Sequence, residues 1–146
     1  MGELHLRQGQ APQAERSFRE ALEMAEATAP EHPFVAYAQG WLGETLVTQE
    51  RWADGITELR EALTRLEAVR GPDDPELMGP LQGLAGAALE QGQPADALPF
   101  AERALAVGER SEQTDGRLAI ARWLVAQALW DTGGDRARAR ALAEQA

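Results

Sequence analysis

The segment Gly-Gln-Pro-Ala-Asp-Ala at residues 92–97 decides the fold, because variants of it recur along the chain. Related segments start at Gly9 and Glu50, and a looser fourth copy follows Gly133. The small residues that end the copies are spaced by 41, 42 and 42 residues, at Ala14, Gly55, Ala97 and Ala139. A fixed period of this length, in a sequence rich in Ala and Leu, indicates a helical repeat protein.

Each repeat is predicted to be a pair of helices joined by a tight turn. In the segment at 92–97, Gly92 suits the left-handed end of one helix and Pro94 suits the first turn of the next. The small residue that ends each segment is where two helices can approach closely, since a larger side chain would hold them apart. Residues 29–33 and 71–76 each end one helix and start another with Pro and acidic residues, and residues 111–116 do so more weakly, without Pro.

These signals predict an all-α fold with helices over residues 1–8, 11–28, 33–49, 52–70, 75–91, 94–110, 115–132 and 135–146. Pro80 falls inside the predicted helix over 75–91, where it has no amide hydrogen for the helical hydrogen bond. We therefore expect Pro80 to kink that helix or to delay its start.

The composition limits the classes of function. The formal net charge of −10 disfavours nucleic acid as a partner and makes a neutral or basic partner easier to bind. The chain has no Cys, so disulfides and thiolate metal ligands are excluded. No stretch approaches the roughly 20 apolar residues of a membrane span, and Met1 leads directly into helical sequence. We therefore expect a cytoplasmic protein that is held together by packing.

The repeat resembles the tetratricopeptide repeat family. The resemblance is carried by the pair Leu42-Gly43, by the turn glycines Gly9 and Gly92 with a small residue five positions after each, and by pairs such as Ala62-Leu63. A spacing near 42 residues is more similar to the long repeats of kinesin light chains and their bacterial relatives. The resemblance implies a right-handed superhelix of about seven or eight helices in antiparallel pairs. It also implies a single array over residues 1–146, divided into a truncated repeat 1–31, repeats 32–73 and 74–115, and a last repeat 116–146 that is cut in its second helix.

The end of the chain carries a narrower resemblance. Residues 127–131 together with 134–139 are similar to repeat tails of bacterial, especially myxobacterial, serine/threonine kinases, although the chain contains no kinase motif. This resemblance implies a scaffolding or regulatory part of a larger bacterial signalling protein.

By resemblance to the family, a partner would bind on the concave surface, along the first helix of each pair. The residues predicted to form this partner-binding groove are Arg7, Tyr37, Glu44, Thr48, Gln82, Glu90, Trp123, Gln127 and Trp130. Some family members bind a terminal carboxylate with Lys and Asn, but this chain contains neither residue type and has Glu44, Gly86 and Gln127 at those positions. We therefore expect a peptide or protein partner that is neutral or basic.

The tryptophans are the sharpest local feature. Trp123, Gln127 and Trp130 follow the spacing i, i+4 and i+7, which places both indoles on one face of a helix. They fit packing against a neighbouring helix or against a further repeat, which is the usual environment of large aromatic residues, and they also fit an aromatic platform for a partner, because Trp is enriched at binding hot spots. Trp52 is expected in the core, whereas Trp41 fits either environment.

Catalytic and metal sites are not predicted. His5 and His32 share no ligand spacing, and His32 is expected to cap the helix that begins at Pro33. Acidic residues such as Glu15 and Glu58 fall at spacings typical of solvated helix faces. We therefore expect no enzyme activity, no cofactor and no metal.

Two functions from different classes remain open. The leading hypothesis is a protein–protein interaction module that binds a peptide or protein in its groove. The alternative is a structural module that forms a homo-oligomer, because the apolar faces of its truncated repeats would stack on other copies.

Overall fold

The computed structural model describes residues 2–111 and 116–146, with side chains described for 10–111 and 116–146. In these ranges the chain forms seven α-helices and one short 3₁₀ turn and contains no strand. The helices are α1 (Gly2–Thr28), α2 (Pro33–Thr48), α3 (Trp52–Arg70), α4 (Met78–Glu90), α5 (Pro94–Arg110), α6 (Gly116–Asp131) and α7 (Arg136–Gln145), and the 3₁₀ turn is Pro75–Leu77. The prediction of an all-α fold is confirmed, and five helices, α2, α3, α5, α6 and α7, match their predicted bounds to within one residue.

Side-chain caps act at the predicted helix starts. His32 Nδ1 accepts a hydrogen bond from the amide of Phe34 at 3.2 Å, which confirms that His32 caps α2 before Pro33. Asp74 caps the 3₁₀ turn and Asp135 caps α7, each by accepting a backbone amide at 2.9 Å. Each cap satisfies a backbone donor that the first turn of a helix would otherwise leave unpaired.

Pro80 delays its helix, as expected. The chain first forms the 3₁₀ turn, and α4 begins at Met78. Pro80 therefore lies in the first turn of α4, where the missing amide hydrogen costs no helical hydrogen bond.

The prediction of two separate helices over 1–8 and 11–28 is wrong. The single helix α1 runs through Gly9 and contains Pro12. Ala11 is buried, and its carbonyl accepts a hydrogen bond from Gln49 Nε2 at 3.4 Å. We attribute the continuity of α1 to this packing against the end of α2, which local sequence does not specify.

The chain divides into two compact units, Met1–Val69 and Arg70–Ala146. In the first unit α1 packs on α2, and the most buried large side chains are Val35, Leu42, Leu46, Leu59 and Leu66. In the second unit α5 packs on α4 and α6, and α6 packs on α7, with Leu77, Met78, Leu81, Val107 and Val125 most deeply buried. Each unit therefore has its own apolar core, and the division into four repeats remains a prediction.

The small residues that define the repeat lie mostly inside the helix pairs. Three of the four are buried, at Gly55, Ala97 and Ala139, and Ala14 is half-buried. A Cβ atom on Gly55 would lie 2.9 Å from the carbonyl oxygen of Gly43 and 3.0 Å from the amide nitrogen of Val47. Because both contacts are to backbone atoms, only glycine allows α2 and α3 to come this close.

Candidate functional site

Three of the predicted groove residues, Trp123, Gln127 and Trp130, lie together at a recess between α6 and α7. The recess has a volume of about 360 Å³, and the exposed fractions of Trp123 and Trp130 are 54% and 44%. The other residues that line it are Ala126, Asp131, Ala139, Arg140 and Ala143. We call this mostly apolar concavity the tryptophan recess.

Small side chains form the floor of the tryptophan recess. Ala126 of α6 and Ala139 of α7 are buried where the two helices meet, and Ala143 lies one turn further along α7. The spacing of Trp123 and Trp130 places both indoles on the same side of α6. Two large indoles beside three methyl groups leave a depression that the described residues do not fill.

The turn between α6 and α7 orders one of the indoles. Gly133 adopts a φ of 70°, in the left-handed region, and α7 then starts at Arg136. The guanidinium carbon of Arg136 lies 4.7 Å from the centroid of the Trp130 ring, a cation–π contact. This contact was not predicted from the sequence. The local signal for it is that Arg136 directly follows the turn, close to Trp130.

The three arginines of α7 have three different environments. Arg136 lies over Trp130, and Arg140 lines the tryptophan recess. Arg138 forms a bidentate ion pair with Glu102 of α5, and the hydrogen bonds that its guanidinium donates to the Glu102 carboxylate raise the pKa of Arg138. These arginines therefore do not form one basic stripe for a nucleic-acid backbone.

In the first unit, Tyr37 belongs to an aromatic cluster. Its ring centroid lies 6.4 Å from that of Trp41, which also contacts Phe18 of α1 at 5.7 Å and Phe34 at 6.3 Å. Such tilted and edge-to-face pairs stabilise packing. The environment of Trp41, which the sequence left open, is thus a half-exposed cluster within its own unit.

Glu44 and Thr48 lie one turn apart on α2 and are both exposed. The Thr48 hydroxyl donates to the backbone carbonyl of Glu44 at 2.9 Å. The Glu44 side chain as a whole is exposed, but protein atoms surround its carboxyl group closely enough that desolvation raises the pKa of Glu44 above its ordinary value of 4.5. A carboxylate in this position gains from a proton or from a partner's cation.

The remaining predicted groove residues differ in accessibility. Gln82 Nε2 donates to the carbonyl of Arg117 at 2.7 Å and so joins α4 to α6. Glu90 is exposed at the end of α4. Arg7 lies in α1, but its side chain is outside the described residues, as is that of His5. Gln82 therefore has a structural contact, whereas Glu90 is accessible to solvent.

Trp52, which was expected in the core, is half-buried at the start of α3. That expectation is therefore met only in part. The predicted helix restart over residues 111–116 lies largely outside the described residues, which resume at Gly116.

A second open apolar surface was not predicted as a site. Met24 of α1 is 68% exposed and Phe34 of α2 is 41% exposed. With their neighbours they line a shallow recess of about 480 Å³ in the first unit, whose other residues are Ala21, Ala25, Thr28, Ala29 and His32. We call this surface the Met24 face. The spacing i, i+3, i+4 and i+7 of Ala21, Met24, Ala25 and Thr28 predicts an apolar stripe but not that it stays uncovered.

The charged residues mostly form surface ion pairs. Glu15 accepts from Arg19 of its own helix at 2.9 Å and from Arg51 at 2.8 Å. In the described part of the chain, no three His, Asp or Glu side chains come together as potential metal ligands. No helix in those same ranges is long and apolar enough to cross a membrane.

Comparisons with known proteins identify related sequences and folds. Two family models, both described as tetratricopeptide repeat, match residues 34–110 and residues 1–34. No protein of curated function matches the sequence. Similar solved structures include a Podosopora anserina protein, named as a kinesin light chain with nearly identical TPR-like repeats, and a single-substitution variant of it. Their TM-scores are 0.78 and 0.79, with 18% sequence identity over 99% of this chain and 71% of the other chain, which shows a shared fold.

Proposed function

The chain belongs to the tetratricopeptide repeat family, with long repeats like those of kinesin light chains, and on this premise we propose that it is a protein–protein interaction module. Repeats of this family generally mediate protein interaction or scaffolding and are typically non-catalytic. The observation that carries the proposal for this chain is the pair of half-exposed indoles at the tryptophan recess.

The tryptophan recess has the properties of a binding hot spot. Large aromatic side chains that lose water on binding contribute most of the affinity at many interfaces. Trp130 is already ordered by Arg136, so less conformational entropy is lost when a partner binds it. A partner's apolar side chain that enters the recess would contact both indoles and the alanine floor.

The charge of the chain supports a neutral or basic partner. The net charge is −10, and Glu44 and Glu90, two of the predicted groove residues, are exposed. Desolvation already disfavours the charged form of Glu44, and a partner's Lys or Arg would offset that cost. We therefore propose that the partner-binding residues are Glu44, Thr48, Glu90, Trp123, Gln127 and Trp130.

We also propose a wider context, in which the chain is a scaffolding or regulatory part of a larger bacterial signalling protein. The resemblance of residues 127–139 to repeat tails of bacterial kinases supports this context. The sequence that flanks the chain in its parent gene tests it, because a kinase or receiver domain there is the expected result and an unrelated enzyme domain would contradict it.

A peptide array tests the interaction function. Extended peptides of basic, neutral and acidic composition are screened, and hits are measured by titration calorimetry. We expect basic or neutral peptides to bind, Trp123→Ala with Trp130→Ala to weaken them by at least about thirtyfold, and Glu44→Lys with Glu90→Lys to weaken the basic ones.

Ile120 provides the matched control, because it is 50% exposed on the same helix but does not line the recess. The variant Ile120→Ala should bind like the unmodified chain. An array without hits, or losses that are equal in the Ile120 control and the tryptophan variants, would reject the proposed function.

A further inference from the structure

We propose that the tryptophan recess of one copy of this chain receives the Met24 face of a second copy, so that copies associate head to tail. The inference rests on the proposed function, because it names the partner of the same recess.

The preceding helix pair shows what this face of the repeat accommodates. The floor residues Ala126, Ala139 and Ala143 correspond to Ala85, Ala97 and Ala101, which lie 41 or 42 residues earlier. Those three earlier alanines are fully buried, and the helix α6 packs against both α4 and α5. Because repeats stack in one direction, the equivalent side of α6 and α7 is the side on which a further helix would pack.

Hydrogen bonding at the earlier face supports the same conclusion. Gln82 occupies the position that Trp123 occupies one repeat later, and it donates to the Arg117 carbonyl of the helix that covers it. On α6 the equivalent residue, Trp123, has an indole in place of the side-chain amide of Gln82. The occupant of the tryptophan recess is therefore expected to be a helix that offers an apolar side chain at this point.

The Met24 face is a helix of that kind. Met24 projects from α1 with 68% of its surface exposed, and Ala21 and Ala25 beside it are small enough for close approach. An unbranched thioether adapts to irregular cavities and makes favourable contacts with aromatic rings. Met24 is thus suited to a recess whose rim consists of two indoles.

The charges on the two surfaces are complementary. Residues 20–28 of α1 contain three Glu and no Arg, whereas α7 contains three Arg and one Glu. Glu20, one turn before Met24, and Arg140, at the recess, make no ion pair with other residues in the described ranges. At the recess itself, Arg136 and Arg140 outweigh Asp131. Opposite charges favour the contact between unlike faces and oppose pairing of two like faces.

A contact between two different faces leaves one recess and one Met24 face unused in every dimer. Each added copy uses one recess and one Met24 face and presents another of each, so growth continues until a ring closes. This mode predicts masses beyond the dimer, which a symmetric contact through one face would not give.

Sedimentation equilibrium over a concentration series at low salt tests the inference. We expect the average mass of the unmodified chain to rise past that of a dimer. Met24→Glu alone and Trp130→Ala alone should each weaken association by at least about thirtyfold. Ile120→Glu, which adds the same charge at an exposed apolar residue outside both faces, should associate like the unmodified chain.

Mixing the two variants separates head-to-tail contact from other modes. Met24→Glu keeps an intact recess and Trp130→Ala keeps an intact Met24 face. An equimolar mixture should therefore form dimers and nothing larger. Association of either variant by itself, as in a symmetric contact, would overturn the inference.

The remaining outcomes separate this inference from the proposed function. A chain that stays monomeric at the highest soluble concentration overturns head-to-tail association. If that monomer binds array peptides through Trp130, the interaction function stands and only the partner at the recess is different. A monomer that binds no peptide removes both proposals.

Discussion

The two units fill equivalent positions of the same repeat with different residues. In the first unit α2 and α3 come close at Gly43 and Gly55, whereas the equivalent positions in the second unit are Ala85 and Ala97, both fully buried. Glycine permits contact between backbones, and alanine separates the helices by two methyl groups. Both units therefore have small residues at this crossing, and only the first unit has glycine on both helices.

The two units also differ in their turn residues and in the surroundings of their tryptophans. The left-handed turn residue is Glu50 in the first unit, with a φ of 61°, and Gly92 in the second, with a φ of 68°. Trp41 packs against three aromatic rings of its own unit, whereas Trp123 and Trp130 face an open recess. Trp41 and Trp130 are exposed to nearly the same extent, 45% and 44%, so the two units differ in what lies beside the indole: aromatic rings in the first unit and an open recess in the second.

The largest expected effect concerns the helix crossing. In Gly43→Ala the new Cβ atom would lie 2.7 Å from Leu59 Cγ and 3.0 Å from the Gly55 carbonyl oxygen. We expect the free energy of unfolding in urea to fall by about 2 kcal/mol, because overpacking outweighs the higher helix propensity of Ala. Gly86→Ala is the control, since no atom lies within 4 Å of its Cβ position, and it should stabilise the chain by up to about 1 kcal/mol. Equal effects of the two variants would show that α2 and α3 are further apart than described.

The second prediction compares the two tryptophan environments. Trp41→Ala should lower the free energy of unfolding by about 2 kcal/mol, through the lost ring contacts and half-buried area. Trp130→Ala should lower it by about 1 kcal/mol, because it loses a similar half-buried area but only one cation–π contact in place of three ring contacts. Thermal and urea unfolding measure both, and a larger loss at Trp130 would mean that its indole serves the fold rather than a partner.

The third prediction exchanges the turn residues. Gly92→Ala places a Cβ atom in the left-handed region and should destabilise the chain by about 1 kcal/mol. Glu50→Gly removes the same strain from the first unit and should stabilise it by about 0.5 kcal/mol, since the greater freedom of Gly in the unfolded chain offsets part of the gain. Urea midpoints that move in the same direction for both variants would contradict this account.

The smallest expected effect is on how the stability of the chain depends on pH in the acid range. Burial raises the pKa of Glu15, but hydrogen bonds from Arg19, Arg51 and Gln49 outweigh it, so that the pKa lies below its ordinary value of 4.5. The stability that Glu15 contributes is therefore fully present above pH 4.5 and is lost as the pH falls through the lower folded value. Glu15→Gln should lower the urea midpoint at pH 7 and have little effect in strong acid. A variant equally destabilised at both pH values would show that packing, rather than charge, is lost.

Local signals were sufficient for most helix bounds. His32, Asp135 and the Pro residues at the helix starts act within one turn, so the sequence nearby contains what sets those ends. The continuity of α1 was not predictable in this way, because it depends on Gln49 meeting the Ala11 carbonyl 38 residues away. Gln82 was assigned to a partner for the same reason, since its hydrogen bond to Arg117 joins positions 35 residues apart.

The tryptophans of the candidate site were predictable from the sequence, but their exposure to solvent was not. The helical spacing of Trp123 and Trp130 placed both indoles on one face, as the structure shows, yet the same spacing suits core residues. Their exposure depends on α7, whose alanines leave the recess open and whose Arg136 covers part of one indole. Met24 is the opposite case. Its apolar stripe has the spacing of a core face in the sequence, but Met24 is exposed in the folded unit.

The sequence by itself determined the all-α repeat, its period near 42 residues and the small residues at the helix crossings, because helix periodicity, capping and steric size act over a few residues. Only the tertiary structure decided which small residues touch backbone to backbone, which amides join helices, and which apolar faces stay open. Those properties depend on pairs of residues tens of positions apart, whose contact exists only once the helices have packed.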